Sequence, residues 1–86
     1  MYKNKAKDGS NNIAGPKIKE YRSKMPGKIS QNKFATKLQE KGLDLDKNAI
    51  QRIESGQRFV TDIELKAIAK ALNVSYSDLL DDDNEI

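Results

Sequence analysis

Residues 43–59, LDLDKNAIQRIESGQRF, admit two incompatible readings. Asp44, Asp46 and Asn48 fall at every second position, as the first ligands of a calcium loop do. Such a loop also needs glycine at its sixth position for the sharp turn and a bidentate glutamate at its twelfth. Those positions are Ala49 and Ser55, and Glu54 stands one residue too early. The spacing of Ile50 and Ile53 is instead that of a helix. Asp46 is then a capping residue, and with Asp44 it lies near the positive end of the helix dipole. Gly56 stops the helix, because the left-handed backbone that ends a helix suits glycine.

At 100° per residue this helix has two unlike sides. Ala49, Ile50 and Ile53 gather on one; Lys47, Asn48, Gln51, Arg52 and Ser55 occupy the other. The polar side carries amides and cations and no acid, whereas an ordinary solvated face mixes in Asp and Glu. Asn and Gln pair bidentately with adenine edges and Arg with guanine, so these side chains suit contact with DNA bases. Glu54 stands at the border of the polar arc, in position to pair with a neighbouring arginine.

Outward from this stretch, apolar residues keep helical spacing. Ile18, Tyr21 and Met25 form one stripe of a first helix over residues 15–25, which PGK ends. Ser30 caps a second helix with Phe34, Ala35 and Leu38 inward, ending near Gly42. Thr61 and Glu64 form a capping box for a fourth helix with Leu65, Ile68, Ala69 and Leu72 on one side. Ser75 and Asp78 repeat that device for a short fifth helix that buries Tyr76, Leu79 and Leu80. No window alternates with period two. The expected fold is all-α: five short helices around one core at residues 13–80, between a flexible basic N-terminal arm at 1–12 and an acidic tail at 81–86.

Composition excludes several functions. Eighty-six residues can stabilise one small core and leave little for a deep cleft. The sequence has no Cys and no His, which removes the thiol nucleophile, the commonest general base and the commonest zinc ligands. Neither an enzyme nor a metal or cofactor protein is expected. No apolar run approaches the roughly 18 residues of a membrane span, so a cytoplasmic, nucleoid-associated protein without a membrane partner is the reading. Charge is lopsided: residues 1–60 carry 14 Lys and Arg against 6 Asp and Glu, or +8, and residues 61–86 carry 2 against 7, or −5. A basic body attracts polyanions, of which duplex DNA is the densest common one.

Three segments together resemble one family. SQNKFATKL, then NAIQRIESGQR, then ELKAIAKALNVSYSDLL agree in order and spacing with the Xre/Cro-like helix-turn-helix family, the repressor-like DNA-binding domain of phage repressors and small bacterial regulators. The resemblance implies that Lys47, Asn48, Gln51 and Arg52 face bases in the major groove. It implies phosphate contacts from Gln31, where the second helix presents free amides to an anion, and from Ser55, Gln57 and Arg58 just after the reading helix. It makes Glu54 an internal tie. The chain departs from the family pattern by a five-residue insertion within QEKGLD, which lengthens the end of the second helix and the turn; Leu43 and Leu45 are expected to dock it on the core.

The functional expectation is a sequence-specific transcriptional regulator, a repressor that binds double-stranded DNA at a palindromic operator, with half-sites about one helical turn apart. A weak homodimer that forms on DNA is expected, because acids after the fifth helix oppose its dipole and repel their counterparts across a symmetry axis. Lysines 3, 5 and 7 of the arm add phosphate contacts. A second reading of the same fold is a protein-interaction module, an antitoxin or anti-repressor, whose main partner is another protein.

Overall fold

A computed structural model describes residues 9–81, which form five helices and, among those residues, no strand. Their limits follow from short-range chemistry. Helix α1, Gly15–Lys24, stops one residue before the expected end because Pro26 drives Met25 into extended backbone at ψ 143°. In α2, Gln31–Glu40, the Ser30 hydroxyl accepts from the Lys33 amide at 3.1 Å. The Asp46 carboxylate does the same for α3, Lys47–Glu54, accepting from the Ala49 amide at 2.8 Å. Asp46 is thus the start signal of α3, as the helical reading requires. Both capping boxes form, Thr61 with Glu64 at α4, Asp62–Leu72, and Ser75 with Asp78 at α5, Tyr76–Leu80.

The turn between α2 and α3 closes α2 with paired bonds. The Leu43 amide donates to the Leu38 carbonyl at 2.9 Å and the Gly42 amide to Gln39 at 3.0 Å, with Gly42 in the left-handed region at φ +87°. This geometry folds the chain back so that Leu45 is buried and Leu43 half-buried against the core. The insertion docks as its leucines suggest.

Phe34, Ile18, Leu38, Ile50, Ile53, Ile68 and Leu79 fill the centre. Helix α1 lies against α3, α4 and α5, and α2 against α3 and α4, so α3 is held from two sides with its third side left to solvent. The Lys17 ammonium donates to the Asp81 carbonyl and ties the end of α5 to α1. One expected core residue is outside: Tyr76 is 49% exposed. Leu79 is buried and Leu80 half-buried, whereas Tyr76, the first residue of α5, lies at its outer end beside exposed Ile63.

Candidate nucleic-acid interface

Helix α3 is the most sharply two-sided of α1 to α4. Ile50 and Ile53 are buried, whereas Lys47, Asn48, Gln51, Arg52 and Ser55 are all exposed. Asn48, Gln51, Arg52, Ser55 and Gln57 line a single shallow groove. Five of the eight residues that the sequence singles out therefore meet on one surface, and Lys47 stands exposed at the start of the same helix. Gln57 joins them because the chain turns sharply after α3: Gly56 adopts φ +82°, and the Gln57 amide donates to the Arg52 carbonyl at 2.8 Å.

The one acid of α3 is turned away from this surface. Glu54 is buried, and its carboxylate accepts from Arg22 Nε at 2.6 Å, Arg22 Nη2 at 2.9 Å and Gln31 Nε2 at 3.0 Å. Arg22 also donates to the Ile29 carbonyl at 2.8 Å. Hydrogen bonding to Glu54 holds the Arg22 guanidinium above its ordinary pKa, against the opposing effect of burial. The network joins α1, the start of α2 and the end of α3 by charge-assisted bonds. It also keeps negative charge off the exposed face of α3, where it would repel phosphate.

Gln31 and Arg58 are placed differently from the groove residues. The Gln31 amide is committed on one side to Glu54, which fixes its orientation at the N-terminus of α2. The Arg58 guanidinium makes a bidentate pair with Glu64, both distances 2.9 Å, and donates to the Phe59 carbonyl. The pairing raises the pKa of Arg58 and, with the Thr61 amide assisting, holds the Glu64 carboxyl below its ordinary range. Only the N–H groups that Glu64 and Phe59 leave over can serve a phosphate.

Sequence reasoning missed three contributors. Arg22 carries no local mark of its role. Asn11 and Asn12, read as part of a loose arm, lie against the end of α3: Asn12 donates to the carbonyls of Ile53 and Arg58, and Asn11 to that of Gln57 in the turn after the helix. A signal existed for Asn12: it stands three residues before Gly15, and its Oδ1 accepts from the Gly15 amide at 2.7 Å, a local side-chain-to-backbone bond of the kind Asn favours outside helices. The lysines of the arm, Lys3, Lys5 and Lys7, lie outside the described residues, as does the tail beyond Asp81. Among the described residues, no helix is long and apolar enough to cross a membrane.

Comparison with known proteins agrees with this fold. The family model described as helix-turn-helix matches residues 18–79. No curated protein matches the sequence. The fold is similar to that of the restriction-modification controller protein C.AhdI from Aeromonas hydrophila, with 25% identity, a TM-score of 0.65, and 78% of this chain and 87% of that one covered. It is similar to the P22 c2 repressor in complex with synthetic operator 9T, with 26% identity, a TM-score of 0.67, and 81% and 96% covered. The DNA-binding domain of BldD, at 22% identity, shares the fold with a TM-score of 0.64 over 83% of this chain and 93% of its own. The chain belongs to the Xre/Cro-like helix-turn-helix family of DNA-binding transcription regulators.

Proposed function

We propose that the chain reads a specific operator through α3 in the major groove and acts as a repressor by occupying a promoter. One observation carries this reading: the exposed face of α3 gathers Asn48, Gln51 and Arg52 with Ser55 and Gln57 in one groove, while its acid is buried under Arg22. Lys47, Asn48, Gln51 and Arg52 contact bases. Gln31, Ser55 and Gln57 contact phosphates, joined by the N–H groups of Arg58 that Glu64 does not hold. The P22 c2 repressor, structurally similar and 26% identical, is described with a synthetic operator, which supports the assignment. The action is by binding and not by catalysis, in the cytoplasm on the nucleoid.

Binding as a dimer on a two-fold operator is part of the proposal. Ile63, 73% exposed, and Tyr76 stand beside half-buried Leu65 and Leu80 on the surface of α4 and α5, with Asp62 and Lys66 at their edge. Were the two copies of α4 to cross antiparallel about a two-fold axis, Asp62 of one would face Lys66 of the other, and four apolar side chains suit a weak contact completed on DNA. The arm lysines reach phosphates from a chain that is anchored at Asn11 and Asn12 beside the end of α3.

Selection of bound duplexes from a random pool, read by sequencing, tests this function. A palindrome with half-sites about one helical turn apart is expected. Recovery of no motif overturns the base-reading assignment. A single unpaired half-site, with the chain monomeric on it by sedimentation, assigns the Ile63 and Tyr76 patch to a different protein, as in the interaction-module reading.

A further inference from the structure

The chain leading into α1 is bound to the end of α3 by a dense set of hydrogen bonds. The Asn11 amide donates to the Gly56 carbonyl at 2.8 Å, and its side chain donates to the Gln57 carbonyl at 2.8 Å. The Asn12 side chain uses both donors and its acceptor at once: Nδ2 donates to the carbonyls of Ile53 at 3.1 Å and Arg58 at 2.7 Å, and Oδ1 accepts from the Gly15 amide at 2.7 Å. These partners are 41 and 46 residues away along the chain, so helix formation alone does not demand them. A Cβ on Gly15 would lie 2.2 Å from the Ile53 carbonyl oxygen, and one on Gly56 would lie 2.9 Å from Ser10 Oγ. At Gly15 backbone thus meets backbone, and at Gly56 the neighbour is the short Ser10 side chain.

The place of this contact gives it consequence. A helix ends in carbonyls that carry partial negative charge, and those of α3 and its turn adjoin Ser55 and Gln57 on the surface read as facing phosphate. Donors from Asn11 and Asn12 cover them. The same bonds fix the last turn of α3 to the first residue of α1. The opposite end of α3 is held by Leu45 and the Asp46 cap. The tilt of α3 is therefore set by two fixed ends.

We infer that Asn11 and Asn12 are positioning residues for operator reading: by clamping the C-terminal end of α3 and the Gly56–Arg58 turn onto α1, they set the angle at which Asn48, Gln51 and Arg52 meet base edges. The inference rests on the proposal that α3 is the reading helix. Asn12→Ala removes three of the bonds and Asn11→Ala removes the side-chain bond to Gln57. Affinity for the selected operator and for a random duplex is measured by fluorescence anisotropy, at a temperature where circular dichroism shows each variant on its folded baseline. The ratio of the two affinities is the readout, because a purely stabilising role leaves it unchanged once the protein is folded.

Asn12→Ala is expected to lower that ratio about tenfold, the worth of one misaligned bidentate base contact, with random-duplex affinity falling by a smaller factor because the same bonds hold the Gly56–Arg58 turn. Asn11→Ala is expected to lower it about threefold, in keeping with one neutral hydrogen bond, and carries the test alone if the Asn12 variant does not fold. An unchanged ratio in a folded variant overturns the inference. Failure of the unmodified protein to prefer its selected operator over random duplex overturns the reading of α3 itself, a separable result.

Discussion

Replacing Glu54 with alanine should cost far more stability than removal of an ordinary surface charge. The Glu54 side chain is 3% exposed and that of Arg22 12%. Truncation deletes three charge-assisted hydrogen bonds and leaves the guanidinium, among the described residues, with the Ile29 carbonyl as partner. Breaking a buried pair on one side costs about 3–5 kcal/mol, because the remaining charge is desolvated and uncompensated. A chain of 86 residues has roughly 4–13 kcal/mol in total. The expected drop in Tm is about 12–40 °C for a domain of this size. Urea unfolding followed by circular dichroism measures the loss directly. Removing both charges, as in Arg22→Met with Glu54→Leu, should cost much less than the single change, since a well-packed apolar pair can replace a buried ion pair. The double variant still loses the Gln31 anchor and should bind operator poorly even where it is stable. A loss below about 1 kcal/mol for Glu54→Ala is the behaviour of an exposed pair and would refute the burial argument.

Three further outcomes are expected. Gly15→Ala should destabilise by about 1–3 kcal/mol, because its Cβ would overlap the Ile53 carbonyl and the backbone must give way; a neutral result in thermal unfolding would mean that α1 and α3 are not in close contact. Glu64 binds a proton less readily in the folded than in the unfolded chain, since Arg58 holds its pKa down. Its stabilisation is therefore full above about pH 4.3 and is lost as pH falls through the depressed value; Glu64→Gln should flatten that acid limb of a urea-midpoint titration, and an unchanged limb contradicts the pairing. Deleting residues 1–8, with Lys3, Lys5 and Lys7, should lower the slope of log affinity against log salt by up to roughly 2–3; an unchanged slope removes the arm from the interface.

The parts of the fold legible in the sequence were those governed by neighbours three or four residues apart. Ser30, Asp46, Thr61 and Ser75 each cap the helix that follows, because a cap is made within one turn. The inward row of α2 and the buried isoleucines of α3 follow from the same periodicity. Glu54 was legible as an internal tie, but its partner Arg22 lies 32 residues away with nothing local to mark it. Asn11 and Asn12 look like loop residues for the same reason: their partners sit at the far end of another helix. Tyr76 failed in the other direction. Its apolar ring and its i, i+3 spacing to Leu79 predict burial, yet as the first residue of α5 it lies at the outer end beside exposed Ile63.

The central claim is that α3 reads bases, and affinities of Arg52→Ala and Asn48→Ala for the selected operator and for random duplex test it most directly, with Gln57→Ala as the backbone-contacting control. The account predicts that each of the first two loses about 1–3 kcal/mol on the operator and little on random DNA, while the control weakens both alike. Equal losses on operator and random duplex for all three would contradict it.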